Sequence, residues 1–166
     1  HDEKRLKQIN VPFVLSTISM FEGVDKKIYS SVSVDDVKES KKAVDCLCEY
    51  GHEKIVMLAA QPWDESISGL RVQGYKKALE ERQIPINENL IRYTFQEETA
   101  FTMENGYKLM KELLESDEEF TAVYAISDSM AIGASKAILE SGKKIPEDYS
   151  VMGFDGLDIA YYYNPS

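Results

Sequence analysis

The side chains that most often do nucleophilic or metal chemistry are scarce in this 166-residue chain, which has two histidines, His1 and His52, and two cysteines, Cys46 and Cys48. The cysteines lie two apart in a segment that reads as helix. They therefore project in different directions, match no zinc-ligand spacing and are expected to be reduced thiols. His52 follows Gly51 and precedes an apolar run, a place for a residue that caps or packs locally. With so few partners, neither a nucleophilic triad nor a transition-metal site can be assembled, and no glycine-rich phosphate loop of either common type is present. Asp128 and Asp155 are conceivable as a glycosidase acid/base pair, but nothing around them argues for that chemistry. The expectation is a protein that binds, without a cofactor or metal, and does not catalyse.

Binding chemistry has better candidates. Asp155, followed by Gly156, stands at the end of an apolar run, where a carboxylate can accept two hydrogen bonds from neighbouring hydroxyls. Asp-Gly is also a common turn dipeptide, and position alone does not choose between the two. Asp128 lies on the same side of its strand, where a helix N-cap is the simpler explanation. Arg71 falls in the first turn of a helix if that helix starts at Ser68. The helix dipole disfavours a cation there, so either a ligand or a carboxylate such as Asp155 should compensate it, unless it is simply solvated.

These residues need elements to hold them. Apolar, β-rich runs alternate with segments of helical period, the signature of βαβ units feeding a parallel sheet, and the fold class is therefore α/β and doubly wound. Val11–Leu15 reads as a strand, followed by a polar connection and a short run at Ser31–Val34. A helix from Asp35 shows Val37, Val44, Leu47 and Cys48 on one face and stops at Gly51. Next come a strand at Ile55–Ala60 and a helix capped by Ser68 with Leu70, Gly74, Tyr75, Ala78 and Leu79 inward. A strand at Leu90–Phe95 and a helix with Met103, Tyr107, Met110 and Leu114 inward follow. The series closes with a strand at Thr121–Ile126, a helix capped by Ser127 or Asp128 and ended by Gly142, and a strand at Ser150–Phe154. In such a sheet ligands bind at the carboxyl ends of the strands, so Gln61, Phe95, Gln96, Ser127, Asp128 and Asp155 should form one polar rim with an aromatic member. A neutral or hydroxylated ligand suits it.

Composition narrows the partners. There are 29 acidic and 19 basic residues, a formal charge of -10, so the chain repels a polyanion and offers no basic stripe for phosphates. These residues are not expected to touch DNA. No stretch approaches the apolar length of a membrane span, and the charged start from His1 to Arg5 is unlike a signal peptide, which favours a cytoplasmic protein.

Three stretches resemble the lactose/galactose-repressor (LacI/GalR) family of bacterial regulators. The first runs from Ser33-Val34-Asp35 through Ala43-Val44 and Leu47 to Gly51-His52-Glu53-Lys54-Ile55. The second comprises Ser68 to Arg71, Gly74-Tyr75 and Ala78-Leu79-Glu80. The third joins Thr121-Ala122-Val123 and Ser127 to Ala134 with Ile145 to Asp148 and Ser150 to Gly156. The resemblance implies a periplasmic-binding-protein-like fold of type I, in which two flavodoxin-like subdomains hinge around a sugar-like effector. It also implies a homodimer and a DNA-binding headpiece outside these residues that contacts operator DNA. Residues 1–33 then correspond to the end of the N-terminal subdomain and its crossover, and residues 34–166 to most of the C-terminal subdomain, with the pattern cut short at both ends. Carried over by position, Arg71 and Asp155 match effector-contacting residues, and Phe95 falls near an aromatic that stacks on ligand. Ser127 stands where many sugar-binding members have asparagine, and Thr17 where many have aspartate. Both departures change the hydroxyl pattern that can be recognised. A solute-binding protein of a transport system shares the fold and is the alternative reading.

Overall fold

The computed structural model describes residues 8–9, 11–16, 29–60, 66–94 and 100–165. The chain divides into two compact units, His1–Asp35 and Asp36–Ser166. In the first, strands β1 (Val14–Ser16) and β2 (Ser30–Val32) pair in parallel, with Val14 and Val32 exposed.

The second unit is a four-stranded parallel sheet between helices. Its elements are α1 (Asp36–Glu49), β3 (Ile55–Ala59), α2 (Ile67–Glu81), β4 (Ile91–Tyr93), α3 (Met103–Leu114), β5 (Ala122–Ala125), α4 (Asp128–Glu140), β6 (Ser150–Met152) and the short α5 (Asp158–Tyr162). The strand order is β4-β3-β5-β6, so the chain steps from β3 outward to β4, then crosses back over β3 to reach β5. That reversal leaves α1 and α2 packed together on one face and α3 and α4 on the other, as right-handed crossovers require. It also opens a crevice between the carboxyl ends of β3 and β5, where chains leave in opposite directions. Both central strands are buried along their whole length, which is why they read as continuous apolar runs rather than alternating ones.

Several boundaries differ from the sequence expectation for identifiable reasons. Leu90 belongs to a 3-10 turn (Glu88–Leu90) that Asn87 caps through its side chain, so β4 starts one residue later. The cap of α2 is Ser66, whose Oγ accepts from Gly69 N at 2.9 Å. Ser68 is instead buried and accepts from Ala60 N at 3.0 Å, tying the helix start to the end of β3. Arg71 is consequently the fifth residue of its helix rather than part of its first turn. Gly51, with φ of 90°, ends α1 in the left-handed conformation, and His52 N donates to Leu47 O. The His52 ring then bridges two strand starts, with Nδ1 2.8 Å from Thr121 Oγ1 and Nε2 2.9 Å from Ser150 Oγ.

The inward face of α3 is Asn105, Gly106, Leu109, Met110 and Leu113; of the expected stripe Met110 is buried, Tyr107 and Leu114 pack part-buried against the core, and Met103 is exposed. Two glycines set the helix contact. A Cβ on Gly106 would strike the carbonyl oxygen of Met130, and one on Gly133 would strike that of Met103, so α3 and α4 cross backbone to backbone. Gly→Ala in a helix interior ordinarily gains about 1 kcal/mol in propensity. At Gly106 and Gly133 the sign should reverse, with Gly133→Ala lowering stability by about 1–3 kcal/mol in urea denaturation because the helices must part. A gain at either position would show that the crossing is loose.

Candidate functional site

At the carboxyl ends of β3, β5 and β6 the structure gathers Arg71, Ser127, Asp128 and Asp155, and adds Asp36, which the sequence reading passed over. Arg71 is the hub. Its Nε donates to Asp36 Oδ1 at 2.8 Å, and Nη1 donates to the Ile126 carbonyl and, at 3.4 Å, to Asp155 Oδ1. The Phe154 ring lies beneath the guanidinium, its centroid 3.6 Å from Cζ, close enough for a cation–π contact. The Arg71 and Asp36 side chains are 11% and 9% exposed, so this ion pair is largely withdrawn from water, whereas Asp155 keeps 33% of its side chain open. Of the alternatives that the sequence leaves open for Arg71, the structure shows carboxylate partners, two of them.

Asp36 is the first residue of α1, and Ser40 and Val44 continue its buried face at four-residue intervals. Ser40 Oγ lies 2.5 Å from the hydroxyl of Tyr124 on β5, whose phenol burial pushes up to about 12. The inward stripe of α1 is therefore polar at its N-terminal end and apolar beyond. That spacing, traced back from Val44 and Leu47, was the signal that could have distinguished Asp36 from its neighbour Asp35.

Ser127 is the N-cap of α4, its Oγ accepting from Met130 N at 3.2 Å, which leaves the hydroxyl proton available to a ligand. Asp128 is not the cap. Its Oδ1 accepts from Phe154 N (2.9 Å) and Asp155 N (3.2 Å), and its Oδ2 from Leu157 N (2.6 Å). Asp155 Oδ2 in turn accepts from Asp128 N at 3.2 Å. The two aspartates thus clasp each other's backbone, and this draws Gly153 and Phe154 out of the strand expected to include them. A Cβ on Gly153 would collide with Asp128 Oδ1. The carboxylate of Asp128 is spent on the loop, while Asp155 faces the opening.

An open depression at this rim is lined by Ile67, Arg71, Phe101, Ser127, Ser129 and Asp155. Phe101 is its aromatic member among the described residues. Phe95 and Thr17, together with Gln61 and Gln96, lie outside the described residues. Among the described residues no group of three or more His, Cys, Asp or Glu side chains is placed to hold a metal, and no helix is long and apolar enough to cross a membrane. Hydroxyl and carboxylate acceptors beside a guanidinium and an aromatic ring can orient a polyhydroxylated molecule, and they form no nucleophile–base pair. Asp128→Ala should cost about 1–3 kcal/mol in thermal denaturation by stranding three backbone N–H groups, and should speed proteolysis within residues 153–157. An unchanged cleavage rate there would mean that Asp128 does not hold the loop.

The model of the periplasmic binding protein-like domain matches residues 44–166. The HTH-type transcriptional regulator MalR of Clostridium butyricum is 38% identical over 164 residues, covering 99% of this chain and 47% of that protein. A sugar-binding transcriptional regulator of the LacI family from Escherichia coli, solved with phosphate, is 34% identical with a TM-score of 0.80, over 97% of this chain and 54% of that one. A LacI-family regulator from Enterococcus faecium with bound ribose is 30% identical with a TM-score of 0.81, over 99% and 57%. The chain spans about half the length of the curated relatives it matches. It belongs to the periplasmic binding protein-like domain family, in the form found in LacI/GalR-type regulators.

Proposed function

We propose that this chain is the ligand-sensing part of a DNA-binding transcription regulator, and that a small hydroxylated effector, a sugar or sugar derivative, seats against Arg71, Asp155 and Ser127. The observation that carries this reading is the placement of the Arg71 guanidinium and the part-open Asp155 carboxylate on one rim at the strand switch point. Thr17 and Phe95 are further contacts in this reading, and Phe101 joins them; Asp128 serves the ligand by fixing the loop that presents Asp155. Occupancy changes the relative population of two subdomain arrangements and so changes operator affinity, through a headpiece beyond these residues. The protein acts in the cytoplasm as a homodimer, for which the exposed Ile159 and Tyr161 on α5 are the contact surface. It performs no catalysis. The alternative of a transport solute-binding protein is less favoured, because the similar proteins are named as transcriptional regulators.

A thermal-shift screen of ribose and other mono- and disaccharides, on the longest natural chain containing these 166 residues, tests the reading. At roughly 100 times its dissociation constant a ligand adds about 2.7 kcal/mol of stability. That increment should disappear in Arg71→Ala and in Asp155→Ala, each compared with its own ligand-free protein. An increment of full size in both variants would place the effector elsewhere.

A further inference from the structure

An arginine at a ligand rim ordinarily announces an anion, since its planar fork matches phosphate and carboxylate. The surroundings of Arg71 reverse that expectation. Nε is taken by Asp36 in a contact largely closed to solvent, Nη1 is shared between the Ile126 carbonyl and Asp155, and Phe154 covers one face. One cation thus faces two carboxylates, Asp36 and Asp155. A third, Asp128, is already satisfied by three backbone amides at the start of α4 and contributes no counter-cation.

Among the described residues the rim therefore presents donors on Arg71 and Ser127 and acceptors on Asp155, with no uncompensated cation beside them. Hydroxyl groups, which donate and accept at once, satisfy such a set; a phosphate or carboxylate, which only accepts, meets Asp155 as a like charge.

We infer that Asp36 neutralises Arg71, so that the site takes an uncharged polyhydroxylated effector and rejects its phosphorylated or carboxylated counterpart. This rests on the effector reading above and adds the charge class of the ligand. Asp36 is a positioning residue: it touches Arg71, and Arg71 touches the ligand.

Titration calorimetry with matched pairs tests it, on the longest natural chain containing these residues. The pairs are ribose against ribose 5-phosphate and glucose against glucuronate, followed by the charged derivative of any sugar that scores in the thermal-shift screen. The neutral member should bind at least about tenfold more tightly at low ionic strength, as expected when a like charge is brought to the rim. Added salt should strengthen the charged member and leave the neutral one unchanged, because only the repulsion is screened.

Asp36→Asn keeps an oxygen for Nε and removes the charge, so it should narrow the preference about tenfold. A purely structural role for Asp36 would weaken both members equally. Wild-type binding of the charged member as tightly as the neutral one, or an unchanged ratio in Asp36→Asn, would overturn the inference while leaving the effector reading standing. Failure of every sugar, neutral and charged, would overturn both. The salt dependence is read on the wild-type protein and does not depend on the variant's folding.

Discussion

Everything at the carboxyl-end rim depends on how one guanidinium is kept out of water. Arg71 is closed in by α1, the end of β5 and the β6–α5 loop, and such burial is tolerated only because Asp36, the Ile126 carbonyl and Asp155 receive its protons. Replacing a buried ion pair by hydrophobic residues often costs nothing, so its value here is not bulk stability. It fixes three separate pieces of chain at one point and orients donors toward the opening.

The rest of the architecture serves that point. Reversal of strand order between β3 and β5 creates the crevice, and Ser68, bonded to the amide of Ala60, registers the start of α2 against the end of β3. On the other side of the sheet the glycine crossing of α3 and α4 lets the N-terminus of α4 approach closely, and the Asp128–Asp155 clasp anchors the loop after β6 to it. The carboxylate that faces the opening is thus positioned by another carboxylate that does not. This division of labour between two similar side chains comes from their partners, three loop amides for Asp128, and Arg71 and one helix amide for the part-open Asp155.

The alternation of apolar runs and helical periods is enough to read the parallel sheet, but the helix-dipole argument for Arg71 assumes a first-turn position that the Ser66 cap removes, and it leaves ligand, carboxylate and solvent open as partners. What sequence could not separate were local choices decided by packing. Ser66 and Ser68 are both competent caps, and only the proximity of Ala60 assigns Ser68 to the strand. Asp35 and Asp36 both look like helix-start acids, and the one turned inward is revealed by its register with Ser40 and Val44. On α3 the expected stripe assumed that large apolar residues mark the inner face; the tight crossing selects Gly106 instead and turns Met103 outward. Phe101 also lines the depression, an aromatic that the helical and strand periods alone do not single out because it lies in a connection between elements.

The account turns on the Asp36–Arg71 pair acting as a unit, and a double-mutant cycle in chemical denaturation measures that directly. Asp36→Ala and Arg71→Met should each destabilise by about 3 kcal/mol or more, since each leaves a buried charge without its partner. The double variant should then fall short of the sum of the two by about 1–3 kcal/mol. Additivity within about 0.5 kcal/mol would mean that the two residues act independently, and that the charge arrangement described for the rim is not what holds it together.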